Sequence, residues 1–494
     1  MEDFVNSVKS AEFPLHPLDT QAAFLNIPYH FFYGNTTGTA DFMPSAQLKT
    51  GFYRALQQFP ILVGQLRSDG GGRTSVVVRP KLLNMPEYVE SASDVGFEEL
   101  QATKFHNSAW PAGLSTAGAI TKAGRDGRIK LLTVHVVRLR NNSGVVVFVN
   151  MPHYVVDGTG FFAFVRLWAD HCRAERRGDS ALAAEAGARP LCFDRALIGR
   201  SLPADRKPLD ADTVGVYTGF SPVAAWLAWL SPATRGRVLD VARFSTNVVS
   251  HTFRVPRDEL QKLCQQVAAH LPRDHPVPVD THVLAAVIAM TVAGAHRKCR
   301  EENEAARGVL GRMWGLLTSL VPRGERIQPL HLLADVRHSL GIEDQHYMGN
   351  GLLPHNRLCA AAVLEAPINA ATLAAVTEIA TAIYASADAP LVASFIDLFA
   401  ARPACFTRPM VYLARHPTAL VITNETGFPL YAPDFGDGVP EWVCTIPAFA
   451  ANFIGLLANP AGPSQITVNV TLKAPVMKHV LASEFWRDLA TIVY

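Results

Sequence analysis

The chain has 494 residues, more than one hydrophobic core usually serves, so its length predicts two domains. Hydrophobic residues make up 49% and charged residues 18%, a globular composition. A net charge of +2 excludes the concentrated basic surface that nucleic acid requires, and leaves room for a small anion in a local basic pocket.

In chain order, Ser45–Leu56 reads as a helix that stops at Phe-Pro-Ile-Leu-Val-Gly64, and Ser75–Val78 reads as a strand. Leu131–Leu139 and Val145–Met151 are rich in Val and joined by the turn-forming Arg-Asn-Asn-Ser-Gly144, which predicts a hairpin. Thr159–His171 is a helix that is apolar on more than one side. From Arg173 to Asp212 the composition shifts to Arg, Glu, Ala and Pro, as expected of a surface crossover. Val279–Ala295 and Ala370–Ala385 are Ala-rich buried helices. Leu420–Thr423 is a short strand, and Ile466–Leu472 alternates as a strand with one buried face. Strands and helices alternate irregularly, so the expected class is α/β with mixed sheets flanked by helices. The expected division is an N-terminal domain at 1–180, a crossover at 181–240 and a C-terminal domain at 241–494.

Seven dispersed cysteines without a Cys-x-x-Cys pair predict reduced thiols and a cytoplasmic protein. No basic-then-apolar leader opens the chain, and Thr-Ile-Val-Tyr494 is not a peroxisomal address. The longest strongly apolar run, Phe220–Leu230, is far shorter than the roughly 20 residues of a spanning helix, so no transmembrane segment is expected. Trp226 and Trp229 in that run read as part of a core-packed helix. Arg173, Arg176 and Arg177 read as a solvated run, and His171 beside Cys172 has no spaced partners for a metal site, so no metal is predicted.

His-x-x-x-Asp occurs three times among 17 histidines, where about one match is expected by chance. His270/Asp274 lies in a proline-broken loop. His331/Asp335 lies in a strand-like run whose period of two puts both residues on one face, which reads as a structural pair or as the approach to Asp335-Val-Arg337. His153/Asp157 differs: it follows Val-Val-Val-Phe-Val-Asn-Met151 and precedes Gly158-Thr-Gly160 and an apolar helix. A rigid strand end followed by a glycine turn holds a side chain firmly while leaving it accessible, and the glycines permit unusual backbone angles and close approach of a substrate.

The segment Val134–Gly158 resembles the HxxxD acyltransferases of the BAHD superfamily. Asp434-Phe-Gly436-Asp-Gly438 is similar to the family's Asp-Phe-Gly-Trp-Gly, and Thr423-Asn424-Glu425 falls where the family has Thr-Ser-Trp. Asp335-Val-Arg337 with Tyr347-Met-Gly-Asn350, Pro17-Leu-Asp19 and Ile61-Leu-Val-Gly64-Gln-Leu66 resemble further family segments, in the family's order. The long fungal-type O-acetyltransferases of secondary metabolism, of the trichothecene 3-O-acetyltransferase kind, are the most similar in length and in the imperfect second motif.

The resemblance implies two chloramphenicol-acetyltransferase-like domains with a channel at their interface. It implies transfer of an acyl group, acetyl above all, from acyl-CoA to a hydroxyl of a small-molecule acceptor by a monomer with no permanently bound cofactor. His153 is the implied general base, and Thr423 or Asn424 the implied donor to the oxyanion or acceptor. Asp157, Gly158, Arg337, Asn350, Asp434, Gly436 and Gly438 are implied structural positions, with Asp157 and Asp434 competing for Arg337. Two departures, Asp437 and Glu425, stand where the family has tryptophan, and Glu425 is expected to alter the acceptor pocket. N-acyl transfer, carrier-dependent condensation and a non-catalytic binding role are the alternatives. Condensation enzymes usually carry a second His where this chain has Pro152.

Overall fold

A computed structural model describes residues 2–494 apart from 22–24, 69–73, 115–120, 122, 125–126, most of 211–246, 274–277, 307–326, 402–417 and 446–450. The Val-rich segment Gly144–Pro152 is a strand buried along its whole length. Its β-branched side chains pack on both faces, with Val145, Val147 and Val149 toward one core and Val146 and Phe148 toward another. It lies at the centre of a five-stranded sheet ordered Trp442–Thr445, Asn26–Gly34, Gly144–Pro152, Thr133–Arg138, Glu87–Ala92. The hairpin from Thr133–Arg138 into Gly144–Pro152 forms as expected. Its turn residues Asn141 and Asn142 take positive φ, a conformation asparagine tolerates better than most residues.

A second, seven-stranded sheet runs Leu352–Ala360, Ile327–Asp335, Leu420–Glu425, Phe453–Ala458, Gln465–Lys473, Val248–Pro256, Thr491–Ile492. Leu420–Glu425 is parallel to both neighbours and the other pairings are antiparallel, so the sheet is mixed. Gln465–Lys473 was expected to bury one face. It buries both, because it sits between two strands, and its second face pairs polar groups across strands. Asn469 donates to Thr252 (3.2 Å) and Thr471 to Ser250 (3.1 Å). These bonds satisfy hydroxyls and amides that would otherwise be costly to bury.

Helices Ser45–Gln58 and Gly158–Arg177 pack on the first sheet. Asp280–Ala306 and Ala370–Ser386 pack on the second, around a separate core. The observed class is therefore the expected α/β arrangement of mixed sheets flanked by helices.

Two features were not legible. Trp442–Thr445 leaves the C-terminal part of the chain and pairs with Asn26–Gly34, closing one edge of the first sheet. The crossover is also not confined to the surface. It folds into Ser180–Ala188 and Ala196–Ser201, and Leu197 and Ile198 join a third core with Leu18, Val336, Tyr347 and Phe395. In the apolar run expected to be core-packed, Trp226 is 54% exposed, while Trp229 and Leu227 lie outside the described residues.

Candidate active site

His153 follows directly on the central strand, and its backbone amide still donates to the Leu25 carbonyl (2.8 Å). Its Nδ1 lies 2.7 Å from Asn350 Oδ1. The orientation of the Asn350 amide follows from its other partners. Asn350 Nδ2 donates to the His153 carbonyl (2.7 Å) and to Asp19 Oδ1 (2.9 Å), both of which can only accept. Oδ1 is therefore the atom facing the ring, so Nδ1 carries a proton and donates, leaving Nε2 as the free basic nitrogen. Burial lowers the pKa of His153 below its ordinary 6.5, against the opposing pull of Asp157 and Asn350, so the ring is neutral near pH 7.

Asp19 holds Asn350 in place and is itself fully buried. Its Oδ1 accepts from the Asn350 backbone amide (3.1 Å) as well as the side chain. Its Oδ2 accepts from the His16 amide (2.8 Å) and from Arg195 Nε (3.2 Å). Arg195 also donates to the Val155 carbonyl (2.5 Å), tying the crossover to the loop between His153 and Asp157. Asp19 had a signal, the Pro17-Leu-Asp19 segment. Arg195 had none, since nothing in Leu-Cys-Phe-Asp-Arg195 marks it as buried.

Asp157 is scaffold. Its Oδ1 caps the Gly158–Arg177 helix by accepting from Gly160 N (3.2 Å). Its Oδ2 accepts from Gly351 N (2.9 Å) and pairs with Arg337 Nη1 (2.8 Å). Burial would push its carboxyl up, but the Arg337 guanidinium and the two amides hold it below the usual carboxylate range. Arg337 spends its remaining donors on Asp335 (3.0 Å) and on the carbonyls of Tyr347 (3.1 Å) and Gly349 (2.7 Å). Asp335 is shifted the other way, raised by burial more than Arg337 can offset.

The competition for Arg337 is thus settled for Asp157. Asp434 faces Arg173 (3.9 Å) and Arg177 (3.7 Å), and accepts from the amides of Gly436 (2.8 Å) and Gly438 (3.0 Å). Both glycines take positive φ, which explains their place in the motif. Asp437 pairs with Arg176 (3.0 Å) and accepts from Met43 N (2.8 Å), so a charged anchor stands where the family has tryptophan. Arg173, Arg176 and Arg177 are accordingly not a freely solvated run; they clamp the Asp434–Gly438 segment onto the helix.

Gly158 and Gly160 are required by packing rather than by unusual angles, since neither takes positive φ. A Cβ on Gly158 would meet the Phe428 ring at 2.4 Å, and one on Gly160 would meet the Met348 carbonyl at 2.7 Å. Of the other His-x-x-x-Asp copies, His331 and Asp335 share the Ile327–Asp335 strand, and Asp335 serves Arg337. His270 follows the Arg257–Ala268 helix, and Asp274 lies outside the described residues.

The strand order separates the two proposed donors. Thr423 is buried, and its hydroxyl donates weakly to Glu425 Oε1 at 3.4 Å. Asn424 is exposed on the opposite face, and its Oδ1 accepts from the Thr426 amide (3.2 Å) and hydroxyl (2.7 Å). Glu425 also accepts from the Tyr29 hydroxyl, and Tyr29 lies against Phe161 and Phe162.

Residues 6–207, which include His153 and Asp157, match the family model described as Transferase family. No curated protein matches the chain by sequence. The fold is similar to that of F. graminearum TRI101 complexed with coenzyme A and deoxynivalenol, with a TM-score of 0.71, 14% identity, and 98% of this chain and 100% of that chain covered. It is also similar to vinorine synthase (TM-score 0.58, 17% identity, 97% and 93% covered). A third similar fold is the first condensation domain of the CDA synthetase (TM-score 0.51, 14% identity, 98% of each chain covered). At these identities the structures speak to fold, which is that of the two-domain acyltransferases. Over residues 6–207, which carry His153 and Asp157, the chain is similar to the Transferase family, and over its whole length it shares the fold of these structures.

Proposed function

We propose that the protein transfers an acyl group, preferentially acetyl, from acyl-CoA to a hydroxyl of a small-molecule acceptor. The observation that carries this reading is the fixed tautomer of His153. Asn350, oriented by Asp19, takes the Nδ1 proton and leaves Nε2 with its lone pair at the strand end. A neutral imidazole with one free nitrogen is a general base for an acceptor hydroxyl. As the hydroxyl oxygen attacks the thioester carbonyl, Nε2 takes its proton, and it returns that proton to the departing CoA thiolate. No enzyme nucleophile is required, because the acceptor itself supplies the attacking oxygen.

Thr423 is the better of the two oxyanion candidates. Its long bond to Glu425 is released at little cost, whereas Asn424 faces away and is engaged by Thr426. Losing such a donor costs roughly 3 kcal/mol of transition-state stabilisation. The reading includes a cytoplasmic monomer without a permanently bound cofactor or metal. It also treats residues 1–180 and 241–494 as the two acyltransferase domains, joined by the crossover at 181–240.

The test is titration calorimetry with acetyl-CoA, followed by thiol release from acetyl-, malonyl- and long-chain acyl-CoA across a set of hydroxylated metabolites. Binding of acetyl-CoA and acceptor-dependent thiol release are expected. A protein that binds no acyl-CoA, or that releases thiol only when a carrier protein is added, contradicts the reading.

A further inference from the structure

Among the described residues, the side-chain partners of the Glu425 carboxylate are both neutral. Tyr29 donates its hydroxyl to Oε2 and Thr423 donates to Oε1. Among the described residues no lysine, arginine or histidine contributes to its electrostatic surroundings. The two hydroxyls use about half of the acceptor capacity of a carboxylate, which has roughly four lone-pair sites. Every other carboxylate described around the site has a cation. Asp157 has Arg337, Asp19 has Arg195, Asp434 has Arg173 and Arg177, and Asp437 has Arg176.

The Tyr29 ring that meets Glu425 is packed among aromatic side chains. The Tyr29 ring lies 5.4 Å from Phe161 and 5.0 Å from Phe162, and Phe162 lies 5.2 Å from Phe428. Phe428 in turn stands over Gly158 of the His153 turn. A carboxylate beside an aromatic ring suits an ammonium group, which gains both the ion pair and the ring quadrupole. The spacing suits a small molecule. Tyr29 is three residues along its strand from Asn26, the partner of Pro152, and at roughly 3.4 Å per residue that is about 10 Å from the strand end that presents His153.

We infer that the acceptor carries a basic nitrogen in addition to its reacting hydroxyl, and that Glu425, beside Tyr29, binds that nitrogen as a cation. The inference rests on the acyl-transfer reading and narrows its acceptor class. Burial raises the Glu425 carboxyl above its ordinary value in the free protein. An incoming ammonium favours the ionised form of that carboxyl.

The experiment uses the full chain with acetyl-CoA and pairs of alcohols matched in shape. In each pair a tertiary amine in one member is replaced by carbon in the other, with nitrogen-to-hydroxyl spans from about 6 to about 12 Å. The expected result is a KM at least tenfold lower for the amine member of at least one pair. In Glu425→Gln this ratio should fall toward one, with acetyl-CoA affinity and melting temperature serving as checks on folding. If both members of every pair react with equal KM in the wild-type protein, the amine assignment is overturned while acyl transfer stands. A preference that survives in a folded Glu425→Gln protein also overturns the role of Glu425. Absence of acetyl transfer to every alcohol, together with no acetyl-CoA binding, overturns both readings.

Discussion

Asn350 and Asp157 lie side by side around one strand end and do different work. Asn350 sets which nitrogen of His153 carries the proton, whereas Asp157 never faces the ring's hydrogen bond and instead anchors the backbone through Arg337, Gly160 and Gly351. Two substitutions should separate these roles. His153→Ala should remain folded, with an unchanged melting temperature, and lose acyl transfer by roughly 10²–10⁴-fold, the usual contribution of a general base. Asp157→Ala should lose soluble, folded protein as well, because it removes the more buried of the two carboxylates on the Arg337 guanidinium together with the acceptor of Gly160 and Gly351, at a cost of roughly 3–5 kcal/mol. A His153→Ala protein with near-normal thiol release would remove His153 from the mechanism. The pH dependence follows from the shifted groups. The His153 pKa lies below 6.5, and the base works only when neutral, so the acidic limb of kcat/KM should fall below pH 6.5. Asp157 is depressed below its ordinary 3.8, so its stabilisation is complete above that value and is lost as pH falls through the folded-state pKa. Melting temperature should drop with acid below about pH 3.8 in the wild type, and this part of the drop should be missing in Asp157→Asn.

The Gly158–Arg177 helix shows how one element serves both the site and the second motif. Asp157 caps its start, while Arg173, Arg176 and Arg177 near its end hold Asp434 and Asp437. Gly160→Ala should test the packing of its first turn. The added methyl would stand 2.7 Å from the Met348 carbonyl, so a loss of roughly 1–3 kcal/mol is expected, measured by denaturant unfolding. A neutral outcome would mean that the turn yields easily. Much at this scale was legible. The Val-rich hairpin, the aromatic helix after His153 and the long Ala-rich helices announce themselves through periodicity and start close to where expected, but Gly158–Arg177 and Asp280–Ala306 run six and eleven residues past their expected ends. What escaped were pairings between distant segments. Nothing local tells Arg195 to seek Asp19, or Arg176 to seek Asp437, because an arginine in a mixed-charge stretch has the same composition whether solvated or buried. The second face of Gln465–Lys473 was missed for a related reason: threonine and asparagine read as solvent-facing until a neighbouring strand supplies Ser250 and Thr252.

At the scale of the whole molecule, the two large sheets are not independent. Trp442–Thr445 pairs with Asn26–Gly34, Asn350 reaches Asp19 and His153, and Glu425 reaches Tyr29. Each of these contacts joins residues more than 190 positions apart along the chain. The molecule should therefore unfold in one cooperative transition, with far-ultraviolet dichroism and tryptophan fluorescence giving the same midpoint. Two separated midpoints would show that the sheets melt apart. A polypeptide ending at residue 240 should aggregate, since it exposes the unpaired edge of Asn26–Gly34 and lacks Asn350 and Arg337.

The position of Trp442–Thr445 also sets a clock on biosynthesis. The central strand ends at Pro152, yet the strand that covers the other side of Asn26–Gly34 emerges some 290 residues later. At translation rates of roughly 5–20 residues per second, the nascent N-terminal sheet waits about 15–60 s for its last strand. Through that interval the edge of Asn26–Gly34 stays open to other chains, so the yield of this protein should respond to ribosome speed and to chaperones that shield strand edges.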